Sequence, residues 1–600
     1  MAHDKDERSN AAARKSSELS DDPAKRQAAS RAAAREPGTN GGNGGTTAMG
    51  PARRRQRYLI GVRALPPAID SQRTSMDSVL EYLGRQEGVE VIKRIRLRAQ
   101  PFVPEGAGEG EVILANIEQS KVERLRAAAP QRLIIEEDVL LDCADTSAIP
   151  MPVATLGTML PLRSVPTEIA IRVLGERDQP LSRAAVVVYG RGLPAMALTD
   201  ESGTARMTFF GGTADAVQAL CVRAPANYWD RFIVAPRLNS HGVTPVKLRA
   251  LSELFRGSAE ESFVGWGPRL MGLDNIDNRF RGTGVRVGVI DSGCDNSHGL
   301  LHHVTHGKDF TEGSNESSWT EDAIAHGTPV CAIIAGGGGE HGMSGFAPDS
   351  ELHVFKVFPG GRTSDLLQAL DECIQRELDV VNISATTEHP SELVAMKLQE
   401  LRQRGVVCIA AAGNLGGPLA FPAMLPGVIA VGAVGKLREF PSDSCHALSV
   451  LPQLISTDGV FAARFSNWGP QLAVTAPGVA IVSAVPGGYA AADGTSAAAA
   501  HVTGIAALVL AHHPLLSESP LRVRAEQRVQ VVTELIRASA LPRFADPQRE
   551  GAGVPDLRRV PGELMSGVSR ASLAGTPGYW PQTAGASWNP VVPMRAAGLF

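Results

Sequence analysis

A chain of 600 residues is too long for one hydrophobic core, because chains beyond roughly 250–300 residues split into domains. With 43% hydrophobic and 20% charged residues the composition is that of a globular protein, and 59 Lys+Arg against 63 Asp+Glu give a net charge of -4. That balance lacks the basic surplus of a nucleic-acid binder. No stretch approaches the roughly 20 apolar residues of a membrane span. The start, MAHDKDERSN, lacks the apolar segment of a secretory signal, and the seven cysteines form no CxxC pair. These features imply a reducing, cytoplasmic setting, with export by another route left open.

Residues 1–56 are rich in Ala, Arg, Ser and Gly, hold almost no large apolar side chains and read as a disordered tail. From Arg57 the pattern becomes regular. RYLIGV, VEVIKRIRL, EVILAN and LIIEEDVLL read as strands, and TSMDSVLEYLG and QSKVERLRAA as helices. The order βαββαβ predicts a ferredoxin-like α+β domain over 57–150. Residues 160–250 carry short strands, EIAIRVL, AAVVVY, AMALT, ARMTFF and VQALCVR, with a turn at Thr199–Gly203. They predict a small β-sandwich, similar to the carboxypeptidase regulatory-like sandwiches.

Over 251–561, apolar runs such as VRVGVI, LHVFKVF, LDVVNIS, VVCIAAA and VIAVGAV alternate with helical patterns. Nearly continuous apolar runs suit strands buried on both faces. The alternation predicts an α/β fold with a doubly wound parallel sheet, whose functional groups gather at the carboxyl ends of its strands. Residues 562–600, rich in Pro, Ala and Gly, read as a C-terminal extension.

Four polar groups sit just past those strand ends or at helix starts. Asp291 follows VRVGVI, Asn414 follows VVCIAAAG, His326 opens the helix PVCAIIAG, and Ser496 opens the helix AAAAHVTGIAALVLAHH. A serine hydroxyl is a poor nucleophile until a base takes its proton, and an imidazole has the right intrinsic pKa for that task. A carboxylate would fix the imidazole tautomer and stabilise the imidazolium. Ser496 at a helix N-terminus brings its own N–H to an oxyanion hole, and Asn414 would add a side-chain amide donor. Each tripeptide alone is ordinary turn or cap chemistry; the set, in the order Asp, His, Ser, is specific.

Those motifs resemble the subtilase family across roughly 264–560. The aspartate motif stands as GTGVRVGVIDSGCDNSHGLL, the histidine motif as HGTPVCAIIAG, the oxyanion motif as AAAGN and the serine motif as GTSAAAAHVTG. FSNWGP, TAPGVAI and the closing GAGVPDLRRV are similar too. The resemblance implies a serine endopeptidase with Asp291, His326 and Ser496 as triad, Asn414 and Ser496 at the oxyanion hole, and Ser384, Ala385 and Gly413 along the substrate. It implies a protein or peptide substrate, no cofactor, and an N-terminal domain acting as an intramolecular propeptide. There are departures. Ala497 and Ala500 replace the usual Met and Pro, Pro329 replaces a frequent His, and Thr386 and Thr387 replace two glycines of the substrate strand. No acidic cluster is dense enough to assert a calcium site. A non-catalytic scaffold on the same fold, and a peptide transferase or macrocyclase using the same triad, are the alternatives.

Overall fold

A computed structural model describes residues 55–62, 76–86, 88–97, 110–128, 133–143, 166–191, 193–239, 242–252, 264–337, 343–517 and 523–560. The expected C-terminal extension lies outside the described residues, as does the expected tail up to residue 54. The first strand starts at Arg55, two residues inside the stretch read as tail, because its ladder begins with Arg55 opposite Glu118.

The N-terminal region runs β1 (Arg55–Val62), α1 (Met76–Gly84), β2 (Val89–Leu97), β3 (Gly110–Glu118), α2 (Gln119–Ala128) and β4 (Leu133–Glu137). Its antiparallel sheet has the order β2-β3-β1-β4. Side chains alternate across such a sheet. Tyr58, Ile60, Ile113 and Ala115 turn to α1 and α2, where Val79, Leu83, Val122 and Leu125 meet them. Leu59, Val112, Leu114 and Ile134 turn the other way, into a core shared with α4 (Thr363–Gln375) and α5 (Glu392–Gln403) further along the chain.

A second region holds two sheets, β11-β10-β7-β8 and β12-β6-β9. They are built from β6 (Thr167–Leu174), β7 (Ala185–Tyr189), β8 (Ala195–Leu198), β9 (Thr204–Phe209), β10 (Ala219–Arg223), β11 (Arg231–Val234) and β12 (Val243–Lys247). Ile169, Ile171 and Val173 of one sheet pack against Val186, Val188, Leu220 and Val222 of the other.

The α/β region has a sheet whose parallel core runs β14 (His306–Asp309), β15 (Glu351–Lys356), β13 (Arg286–Asp291), β16 (Val380–Ile383), β18 (Val407–Ala411) and β19 (Ile429–Lys436). From β13 the chain passes to β14 at the sheet's edge, returns to β15 beside β13, then crosses to β16 on its other side. The strand order therefore reverses at β13, where α/β sheets place their clefts. The sheet is mixed rather than wholly parallel: β21 (Val460–Ala463) pairs antiparallel with β19 and with β20 (Val450–Ile455). The cause is local. Ser456 to Val460 closes a tight hairpin with Gly459 at φ 82°, and a hairpin can only join antiparallel strands. α6 (Thr495–His512) is the one described helix long and apolar enough to span a membrane, a segment the composition reading did not single out. It is buried from Thr495 to Leu510 inside the fold, as the core helix of the sheet.

The two-sheet region docks on the α/β region through charge. His446 Nδ1 lies 2.6 Å from Asp493 Oδ1, and its Nε2 lies 3.7 Å from Asp230 Oδ1 of the two-sheet region. Burial alone would lower this imidazole, but Asp230 and Asp493 outweigh it and raise the pKa to about 9, against a small opposing effect of Arg223. A raised histidine stabilises the fold fully below its ordinary value of 6.5 and loses that contribution as pH climbs through about 9. The window is thus about 6.5 to 9, and the contribution is about 3 kcal/mol. We expect the thermal midpoint of the wild-type chain to fall across that window, and that of His446→Gln to fall distinctly less. Parallel slopes would refute the assignment.

Candidate active site

Each of the four polar groups is placed by a terminus. Asp291 is the last residue of β13, at the switch point, and is fully buried. His326 caps the N-terminus of α3 (Gly327–Ala335). Ser496 is the second residue of α6, so its N–H is one of the first-turn donors that no helix carbonyl can reach. Asn414 follows β18.

The structure brings these residues together. His326 Nδ1 lies 2.6 Å from Asp291 Oδ1, and its Nε2 lies 2.8 Å from Ser496 Oγ. One imidazole therefore bridges carboxylate and hydroxyl, across separations of 35 and 170 residues. Burial by itself lowers the His326 pKa; the Asp291 carboxylate, with a further contribution from Cys143, raises it well above the ordinary value. Asn414 Oδ1 accepts from the Thr495 N–H at 3.0 Å and from Thr495 Oγ1 at 2.8 Å. An amide N–H can only donate, so the oxygen must face Thr495 and the NH2 must face the other way. There Nδ2 is buried and without a hydrogen-bond partner among the described residues.

The loops meet closely. A β-carbon on Gly327 would stand 2.0 Å from the Gly293 carbonyl oxygen, so only glycine lets the Asp291 and His326 loops touch. Gly413, at φ 105°, would drive a β-carbon to 2.4 Å from Asn467 Nδ2. Ser384 is fully buried behind the site and its Oγ accepts from Asn382 Nδ2 at 3.0 Å.

Several supporting residues carried no assignment from sequence. Asp322 holds the histidine loop: its Oδ1 accepts from Ser292 Oγ at 2.8 Å and its Oδ2 from the Thr328 N–H at 2.8 Å. Ser292 Oγ in turn accepts from the Gly327 N–H at 2.8 Å. Asn467 Oδ1 accepts from the N–H groups of Leu415 and Gly417, at 2.9 and 3.1 Å, and so shapes the loop that carries Asn414. The motif FSNWGP was the available signal for Asn467; Asp322 had none.

The N-terminal region reaches this cleft. Beyond β4, Leu141 donates to the Gly361 carbonyl at 2.9 Å, and Val139 accepts from the Thr363 N–H at 3.0 Å. Next, β5 (Asp142–Cys143) pairs antiparallel with β17 (Ala385–Thr386), matching Cys143 to Ala385 and Asp142 to Thr386. Two acidic side chains anchor the approach at helix N-termini, where the partial positive charge favours them. Glu136 accepts from the Glu392 N–H of α5 at 2.8 Å, and Asp138 from the Ser364 N–H of α4 at 2.8 Å. Burial pushes Glu136 up to about 6, against the lowering effect of its hydrogen bonds from the Ser391 hydroxyl and the Glu392 N–H.

Comparison with known proteins gives the following. A model of the Subtilase family matches residues 282–553. The chain is 35% identical over 256 residues to Subtilisin from Bacillus pumilus, covering 41% of this chain and 84% of that protein. It is 34% identical over 256 residues to Subtilisin E from Bacillus subtilis, covering 41% of this chain and 61% of that protein. It is 32% identical over 265 residues to Subtilisin Savinase from Lederbergia lenta, covering 43% of this chain and 88% of that protein.

Proposed function

Because this chain belongs to the subtilase family and is a subtilisin-like serine endopeptidase, a hydrolase, we propose that Ser496 is its nucleophile, His326 the general base and Asp291 the group that orients the base. The observation that carries this is the imidazole at 2.6 Å from the carboxylate and 2.8 Å from the hydroxyl. As Ser496 Oγ attacks the scissile carbonyl, its proton passes to His326 Nε2. Asp291 keeps the other ring proton on Nδ1 and stabilises the imidazolium. The carbonyl oxygen, now anionic, takes hydrogen bonds from the Ser496 N–H and Asn414 Nδ2. The imidazolium then protonates the leaving amine, and water repeats the sequence on the acyl-enzyme.

Substrate backbone adds a strand beside Ala385, with Ser384 and Gly413 along the same path. Segment 139–143 supports this by doing the same, between residues 361–363 on one side and β17 on the other. Residues 55–143 accordingly act as an intramolecular propeptide whose last strand fills the cleft. The bond it offers to Ser496 lies past Cys143 and ahead of β6, so the sandwich stays with the protease after processing. Masses of the purified chains test both statements. Wild type should yield an N-terminal fragment ending just past Cys143, and Ser496→Ala a single uncut chain. Identical cleavage in the two, or a cut beyond Ala250, would sink the reading. A fluorophosphonate should label Ser496 in the wild type.

A further inference from the structure

One half-buried group beside His326, the Cys143 thiol, has no part in the proton transfers above. Cys143 Sγ, a ring nitrogen of His326 and a carboxylate oxygen of Asp291 all lie within 4.8 Å of one another. Of the Asp291 oxygens, Oδ1 faces Nδ1, whereas Oδ2 is buried with no hydrogen-bond partner among the described residues. A thiol, an imidazole and a carboxylate are the donor set of a borderline-soft divalent cation; calcium or magnesium would call for oxygen alone.

We propose that, while β5 is seated, Cys143, His326 and Asp291 form a binding site for a thiophilic divalent cation of the zinc type, which locks the enzyme in its covered state. The consequence rests on reading residues 55–143 as a propeptide. Binding is a simple exchange: the cation takes the thiolate, a ring nitrogen and a carboxylate oxygen, and each proton those donors held goes to solvent. A tetrahedral ion with such bonds sets its donors about 3.3 to 3.7 Å apart. The imidazole and carboxylate stand at 2.6 Å, too close to share an ion in that geometry. An ion held by Nδ1 and Oδ1 must open that hydrogen bond, and an ion on Nε2 takes the nitrogen that faces Ser496, so metal binding and general-base action exclude each other. Cys143 arrives only with β5, so releasing the N-terminal segment dismantles the site.

The test uses full-length Ser496→Ala protein, stripped of metal and titrated with Co2+, whose thiolate bond gives a charge-transfer absorption band. We expect saturation at one Co2+ per chain with that band present. The band should vanish in Ser496→Ala with Cys143→Ser or Cys143→Ala. Affinity should drop by more than about tenfold with His326→Ala, since even an outer-sphere partner of a ligand costs that much. In the wild type, Zn2+ should slow self-processing, and in Cys143→Ser it should not. A folded Ser496→Ala chain without the band overturns the proposal, as does a band that survives both Cys143 substitutions. Failure of the propeptide reading looks different: wild type and Ser496→Ala would show the same fragment pattern while the cobalt band stood.

Discussion

Ser496→Ala should lower kcat/KM on a peptide amide by about 10⁶-fold, and adding His326→Ala should cost almost nothing more. Without the hydroxyl the base has no proton to take. Without the base the hydroxyl stays protonated and weak. The two groups lie 2.8 Å apart and, on the proposed mechanism, act as one unit, so their losses should not add. Asp291→Asn should cost about 10⁴-fold, less than either, because an amide favours the wrong ring tautomer but leaves nucleophile and base in place. All variants must be compared after removal of the N-terminal segment in trans; otherwise a nucleophile variant is silent merely because β5 still fills its cleft. Losses that multiply in the double variant would show that the hydroxyl and imidazole act independently, and the mechanism would fall.

Asn414 variants should lose turnover rather than affinity. Removing one oxyanion donor typically costs about 10²–10³-fold in kcat, with KM little changed, because the hydrogen bond strengthens only as charge develops. The two bonds from Thr495 make a sharper version available. Asn414→Asp keeps an acceptor for the Thr495 N–H and Oγ1 while replacing the donor with an oxygen; Asn414→Leu loses both functions. If the donor is what matters, both should show the full kcat loss. Thr495→Val removes the Oγ1 bond to Asn414 and the acceptor of the Gly413 N–H but keeps the Thr495 N–H on Asn414, so its decline should be smaller. An Asn414→Asp enzyme with wild-type kcat would take the residue out of the oxyanion hole.

The sequence alone determined the α/β architecture of the larger region and the residues that converge in it. Buried parallel strands write themselves as apolar runs, as in VRVGVI and VVCIAAA, and the residue that ends such a run must stand at the strand's carboxyl end. Asp291 and Asn414 were legible for that reason, and His326 and Ser496 because each opens an apolar helix. The hairpin at Ser456–Gly459 that turns the sheet mixed escapes that reading, because the apolar runs are read as parallel strands only. What only tertiary structure decided are meetings between residues whose local surroundings carry no trace of them. Nothing near Asp322 announces the loop it holds, nothing near Cys143 announces His326, and Asp230 and His446 lie more than 200 positions apart. Periodicity and turn chemistry record the forces on a few neighbouring residues; docking of the two-sheet region, the N-terminal sheet and the α/β region is settled by surfaces that assemble only once each has folded.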